Sequence, residues 1–120
     1  MKLVLTPTAH WQLRLMGDMD FSTTGFLLGS MLGRVIMIDT LFPLEFNKKN
    51  ISRVYHRVFR ETGDRLKGVF FVNKEIFLND WFLENYIFTI SGHENRIFFY
   101  HFDSDEGQRR CQPVAKSEEW

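Results

Sequence analysis

The most regular pattern in the chain lies between Asn47 and Thr62. Ile51, Val54, Tyr55, Val58 and Phe59 fall at i, i+3, i+4, i+7 and i+8, which draws a wide apolar stripe along one helix. Asn47 or Asn50 is suited to cap its start, and Gly63 to take the turn after its end. A shorter helix is expected over Pro7 to Met16. Thr6 would be its cap and Pro7 its first residue, where a missing N–H costs nothing. Trp11 and Leu15 form one apolar row on it, and Ala9, Leu13 and Met16 a second.

The other apolar runs read as strands. Lys2 to Leu5 is short and ends at a turn signal. Gly25 to Arg34 reads as a buried strand with a glycine-marked turn, and Arg34 to Asp39 as its returning partner. That second run is β-branched and almost wholly apolar, which predicts burial on both faces. Thr40 to Glu45, containing Pro43, reads as a connection. Gly68 to Val72 is a candidate central strand. Lys74 to Trp81 is open between loop and helical turn, and Asn85 to Ile90 pairs with Arg96 to Phe102 in a second hairpin. The order mixes hairpins with helices, so the expected class is α+β, a mixed sheet with flanking helices. Residues 1–103 are expected to make one domain and 104–120 a polar tail.

Composition narrows the class further. With 120 residues, 44% hydrophobic and 25% charged, the chain has enough apolar residues for one core and too many for a disordered segment. Fifteen basic and fifteen acidic residues cancel, so any attraction to a polyanion or an acidic surface must come from a local patch. Such a patch exists. From Lys48 to Lys67 there are seven cations against two anions, and Arg53, Arg57 and Arg60 share one face of the strong helix. This face is a candidate surface for an acidic partner or a nucleic acid. An ordinary solvated helix face is the competing reading, because no base-stacking aromatic residue interleaves the cations in the sequence pattern. The 19 aromatic residues exceed what one sheet face can hold. Both faces are therefore covered, or some rings belong to a contact surface.

Candidate chemistry is sparse. Cys111 is the single cysteine, so neither an intrachain disulfide nor a cysteine-based zinc site is expected, and a reducing, cytoplasmic setting follows. The first residues lack the long apolar core of a secretion signal. Gly25 to Leu41 is interrupted too often to span a bilayer as a helix, so no membrane partner is expected. His10, His56, His93 and His101 show none of the local spacings of metal sites. Cys111 beside Arg109 and Arg110, with His101 as base, is the only nucleophile arrangement, and nothing else supports it. Asp103 to Gly107 lacks the length and the terminal Glu of a calcium loop.

Taken in order, Leu3 to Thr6 and a helix, then Thr24-Gly25-Phe26-Leu27-Leu28-Gly29, Val35 to Pro43, an amphipathic helix and Gly68-Val69-Phe70 resemble the JAB/MPN (JAMM-like) domain. The likeness runs from Lys2 to Phe102. It implies a mixed, curved β-sheet with flanking helices, layered as in cytidine deaminases. Active members of that family are zinc-dependent isopeptidases. They place a Glu three residues before the first Gly of the G-x-L-L-G segment, an HxH pair at the later strand, and a Ser and an Asp beyond it. Here Ser22 stands at the Glu position, Phe71 and Asn73 at the two His positions, and Phe77 at the Ser position; Asp80 alone matches. A catalytic zinc needs three protein ligands and an open position, which this set does not supply.

The resemblance therefore implies a pseudoenzyme without cofactor or metal. It would act as a protein–protein interaction or scaffold module, as a homodimer or with a larger partner. Arg53, Arg57 and Arg60 are the candidate contacts for an acidic partner, and Phe77 and Trp81 for an apolar one. Two alternatives stand beside it. One is nucleic-acid binding through 48–67. The other is a divergent metal-dependent hydrolase built on Asn73, Glu75 and Asp80.

Overall fold

In the computed structural model of this protein, the described residues are 2–19, 22–74, 88–93, 96–105 and 108–116. Side chains are described for 4–19 and 22–74. The elements in chain order are β1 (Lys2–Leu5), α1 (Pro7–Asp18), β2 (Thr23–Leu32), β3 (Val35–Pro43), α2 (Ile51–Thr62), a 3-10 turn (Gly63–Arg65), β4 (Leu66–Val72), β5 (Phe88–His93), β6 (Arg96–Asp105) and β7 (Gln108–Lys116). The strands form one mixed sheet in the order β1-β3-β2-β4-β5-β6-β7. Pairs β1/β3 and β4/β5 are parallel, and the other neighbours are antiparallel. The fold is α+β, a mixed, curved sheet with flanking helices, and β4 is its middle strand.

Strand alternation sends successive side chains of β2 and β4 to opposite faces, and a helix covers each face. On one side, Ala9 and Leu13 of α1 pack on Leu27, Ile36, Ile38, Leu41, Phe70 and Val72. On the other, Ile51 and Val58 of α2 pack on Phe26, Phe46, Leu66, Val69 and Phe71. This double cover accounts for the apolar runs in β2 and β4. In β3, Ile36 and Ile38 are buried while Val35 and Met37 are only half-buried, so the expectation of full burial on both faces fails there. The cause is position: the strand lies one place from the sheet edge.

Two register shifts flank the same level of β2. Against β3 the shift falls between Leu28 and Gly29, leaving Asp39 as the extra residue. Against β4 it falls between Leu27 and Leu28, leaving Lys67 extra. Each bulge flips the alternation. Ile38 and Leu41, three residues apart, both reach the α1 side, and Leu66 and Val69 both reach the α2 side. Bulges on both flanks of one strand bend the sheet, and its outermost strands, β1 and β7, approach within 8 Å between Cα atoms. Gly29 has no alternative at this level. A Cβ there would lie 1.9 Å from the Met37 carbonyl oxygen.

Caps form largely as expected. The Thr6 hydroxyl accepts from Ala9 N–H at 3.2 Å. Asn47 Oδ1 accepts from the N–H groups of Lys49 and Asn50 at 2.8 and 3.0 Å, and α2 proper begins only at Ile51. Gly63 ends α2 with φ +63°.

Two further sequence expectations need correction. The segment 40–43 continues β3 instead of forming a connection, because Pro43 is the final residue of the strand, where its missing N–H is tolerated. The expected polar tail from Ser104 instead completes β6 and forms β7. Strand pairing is a backbone interaction and needs no apolar side chains. Pro113 sits at a register shift in this outermost strand, one of the few places a sheet accepts proline. Of the two apolar rows on α1, which the sequence left undecided, Trp11–Leu15 faces outward while Ala9 and Leu13 are fully buried. The ambiguous stretch Lys74 to Trp81 lies almost wholly outside the described residues.

Candidate functional site

The register of β2 against β4 decides which of the family-like positions meet. Thr23 lies opposite Val72 and Thr24 opposite Phe71, so Ser22 arrives beside Asn73. The Ser22 hydroxyl donates to the Asn73 carbonyl at 3.2 Å. Asn73 itself turns the chain out of the sheet with φ +51°, a conformation Asn tolerates better than most residues. Three of the five sequence-predicted positions, Ser22, Phe71 and Asn73, are thus gathered at the end of β4. Phe77 and Asp80, with Glu75 and Trp81, lie outside the described residues.

Phe71 is fully buried. Its ring meets Phe46 edge-on at 5.7 Å between centroids, and Phe46 in turn packs against Phe26 at 5.3 Å. At the position where the resemblance puts the first ligating imidazole, this chain has a ring committed to the α2-side core.

A polar frame holds the segment that follows β3 against this corner. The buried Thr24 hydroxyl donates to the Leu44 carbonyl at 3.0 Å and accepts from Phe46 N–H at 2.9 Å. Glu45 projects between these anchors and pairs with Lys74 Nζ at 2.9 Å. The Lys74 ammonium holds the Glu45 carboxyl below its ordinary range, and the Thr24 N–H adds to the effect against a smaller opposing contribution from burial. Gly25 belongs to the same frame. A Cβ there would stand 2.3 Å from the Phe70 ring, so the first glycine of the segment makes room for an aromatic side chain on the α1 side. Among the described residues no three His, Cys, Asp or Glu side chains are gathered as a metal would require. His93, His101 and Cys111 lie on β5, β6 and β7, with His101 opposite Gln112 and Cys111 opposite Phe102.

The second candidate surface is α2. Arg53, Arg57 and Arg60 are exposed, as are Lys48 and Lys49 at its approach. Arg65 and Lys67 belong elsewhere. Arg65 pairs with Asp39 at 2.7 Å, and Lys67 Nζ donates to the Asp64 carbonyl. Both line a recess of about 250 Å³ with Gly29, Ser30, Met31 and Asp64. Burial alone would raise the Asp39 carboxyl, but the Thr40 hydroxyl and Arg65 outweigh it and hold the group below its ordinary value. The structure also revises Phe59. The heptad-like pattern assigns it to the buried stripe, yet 50% of its surface is exposed. It lies at the stripe's margin, where the angular position read from sequence no longer decides.

A third surface is absent from the candidate residues read in the sequence. Trp11 and Leu15 are 60% and 44% exposed at i and i+4 along the outer side of α1, and Met19, the residue that caps its C-terminus, is 66% exposed. The two apolar rows were visible in the sequence, but which one met the sheet was not.

No family model matches the chain, and no curated protein does so either. The fold does have solved relatives. The solution structure of protein DSY2949 from Desulfitobacterium hafniense is similar over 93% of this chain and 90% of that one, with a TM-score of 0.55 and 10% identity. This likeness supports the α+β architecture. No helix among the described residues is long and apolar enough to cross a membrane.

Proposed function

We propose that this chain is a non-catalytic domain similar to degenerate JAB/MPN domains, and that it acts by protein–protein contact. The observation that carries the reading is Phe71. A ligand position of the family-like site is occupied by a fully buried ring with an aromatic neighbour. Converting it back to a metal ligand would place an imidazole inside the α2-side core. The neighbouring Ser22 and Asn73 are joined to each other through a backbone carbonyl. The contact role is supported by the outer row of α1, where three large apolar side chains stand together in solvent. A second copy of the chain or a larger protein would cover them. With a single cysteine, the domain suits the reducing cytoplasm.

Size exclusion with light scattering, and metal content read on the same peak, tests this reading. A metal-free dimer that Trp11→Ser converts to monomer is the expected result. A monomer carrying near-stoichiometric zinc would overturn it and make Asp80 the first residue to mutate.

A further inference from the structure

The recess beside Arg65 and Lys67 borders a stretch of backbone that the sheet pairs on one side only. The ladder between β2 and β4 ends at Leu28 and Leu66, so among the described residues 29–32 of β2 pair with β3 alone. Gly33 and Arg34 form the two-residue turn of the β2–β3 hairpin, with Gly33 at φ +60°. In such a hairpin the pair next to the turn, Leu32 and Val35, exchanges both of its hydrogen bonds, and every second pair repeats this. Leu32 and Ser30 therefore direct their N–H and C=O groups at β3, and Met31 and Gly29 direct theirs the other way. On that side lies the recess of about 250 Å³, with Gly29, Ser30 and Met31 as one wall and Asp64, Arg65 and Lys67 as the other. Among the described residues no backbone hydrogen bond crosses it.

An open strand edge is a template for another polypeptide, and proteins ordinarily blunt it with charge or proline. Gly29-Ser30-Met31-Leu32 contains neither, and Met31 and Leu32 are 49% and 63% exposed. A donor and an acceptor on every second residue, about 7 Å apart, match the main chain of an extended peptide. The opposite wall narrows the kind of strand. The turn Gly63–Arg65 stands across the edge, and the Arg65–Asp39 pair at 2.7 Å pins it there. A slot with two walls admits one extended segment, whereas the edge of a second folded sheet would run into the turn. Lys67 sets the charge of that segment. Its ammonium donates to the Asp64 carbonyl and has no carboxylate within ion-pair distance among the described residues. We propose that residues 29–32 of β2 take up a single extended peptide segment of a partner protein as an added strand, with an acidic side chain of that segment on Lys67. The slot lies at the other end of β2 from the Ser22–Asn73 corner, and it does not rest on the contact through α1.

A library of short random peptides displayed on phage and panned on the full chain supplies the probe, and the selected peptide is synthesised and titrated by fluorescence anisotropy. Amide hydrogen exchange read by NMR locates it. In the free chain the Met31 amide should exchange openly while those of Ser30 and Leu32 are protected, and the bound peptide should slow Met31 by about tenfold or more. Methylating the peptide's backbone nitrogens one at a time should abolish binding at alternate positions only, as for a strand. The selected peptides should share an acidic residue. Lys67→Glu should weaken them by about fivefold, the reach of an exposed charge pair, and replacing the acidic residue by Lys should restore affinity for that variant. Trp11→Ser should leave peptide binding unchanged, so a chain that is monomeric yet binds the peptide in this way sinks the α1 contact and leaves the slot standing. The proposal is overturned if panning returns no peptide that binds, if the bound peptide leaves Met31 exchange unaltered, or if the Met31 amide is already protected in the free chain. It is equally overturned if N-methylation shows no alternation, or if Lys67→Glu binds the peptide as well as the parent chain does.

Discussion

The two helices of this domain solve the same problem on opposite faces of one sheet and end with different exteriors. Each buries an apolar row: Ala9 and Leu13 in α1, Ile51 and Val58 in α2. Outward, α1 shows Trp11, Leu15 and Met19, whereas α2 shows Arg53, Arg57 and Arg60. Burial explains the inner rows completely, since both cores close beneath them. Neither outer row is required by the fold. A polar row would serve α1 better in water, and a charge-balanced one would serve α2 equally well. The difference separates what the fold needs from what it leaves exposed, an apolar row on one face and a basic row on the other.

The largest expected effect tests the division between inner and outer rows. Leu13→Ala should destabilise the protein by about 2–5 kcal/mol, the range for emptying a packed leucine site. Trp11→Ser, two residues away, should stay within about 0.5 kcal/mol when both chains are compared at concentrations low enough to be monomeric. Urea unfolding of both variants measures the contrast. Equal losses would mean that α1 is covered on its outer side as well.

A smaller effect sharpens how the two faces are kept in register. Gly29→Ala would drive a methyl group into the Met37 carbonyl at the bulge that lets Ile38 and Leu41 share the α1 face. A loss of about 1–3 kcal/mol is expected, as for other forced close contacts. If thermal unfolding shows no change, the bulge is free to relax and does not set the alternation.

The smallest effect is electrostatic. Asp39 and Glu45 both titrate below their ordinary values of 3.8 and 4.5 in the folded chain. The unfolded state therefore binds protons first as pH falls. The stability these two pairs provide is complete above those ordinary values and is lost as pH drops through the folded ones. Both pairs are largely exposed, so the loss should be slight and should shrink further in high salt. Tyr55 gives the opposite sign. Its hydroxyl is pushed up by burial, so stability should decline as pH rises above 10.0. Tm measured from acid to alkaline pH reads both limbs, and a flat profile would contradict them.

Much of the element order was legible because it rests on local chemistry. The period of Ile51 to Phe59, the Thr6-Pro7 start and the glycine at 63 each specify backbone conformation within a few residues. The corner formed by Ser22, Phe71 and Asn73 was legible in part, since an antiparallel pairing of two recognised strands brings those positions together. Misreadings came where neighbours decide. Residues 108–116 look like a tail until β6 offers its edge, and Pro43 looks like a break until it is placed last in a strand.

The sequence by itself determined which segments curl and which extend, the α+β order, the charge surplus at 48–67 and the lack of a spaced metal-ligand set. These depend on side-chain period, caps and residue type, all of which act locally. Only the tertiary structure decided which apolar row of α1 is buried, how far Phe59 is exposed, and that Arg65 pairs with Asp39 while Arg53, Arg57 and Arg60 have no acidic partner among the described residues. It also decided that Phe71 lies in the core against Phe46. Each of these depends on which distant surface arrives opposite a side chain, and here that was set by strand order and by two bulges beside one level of β2.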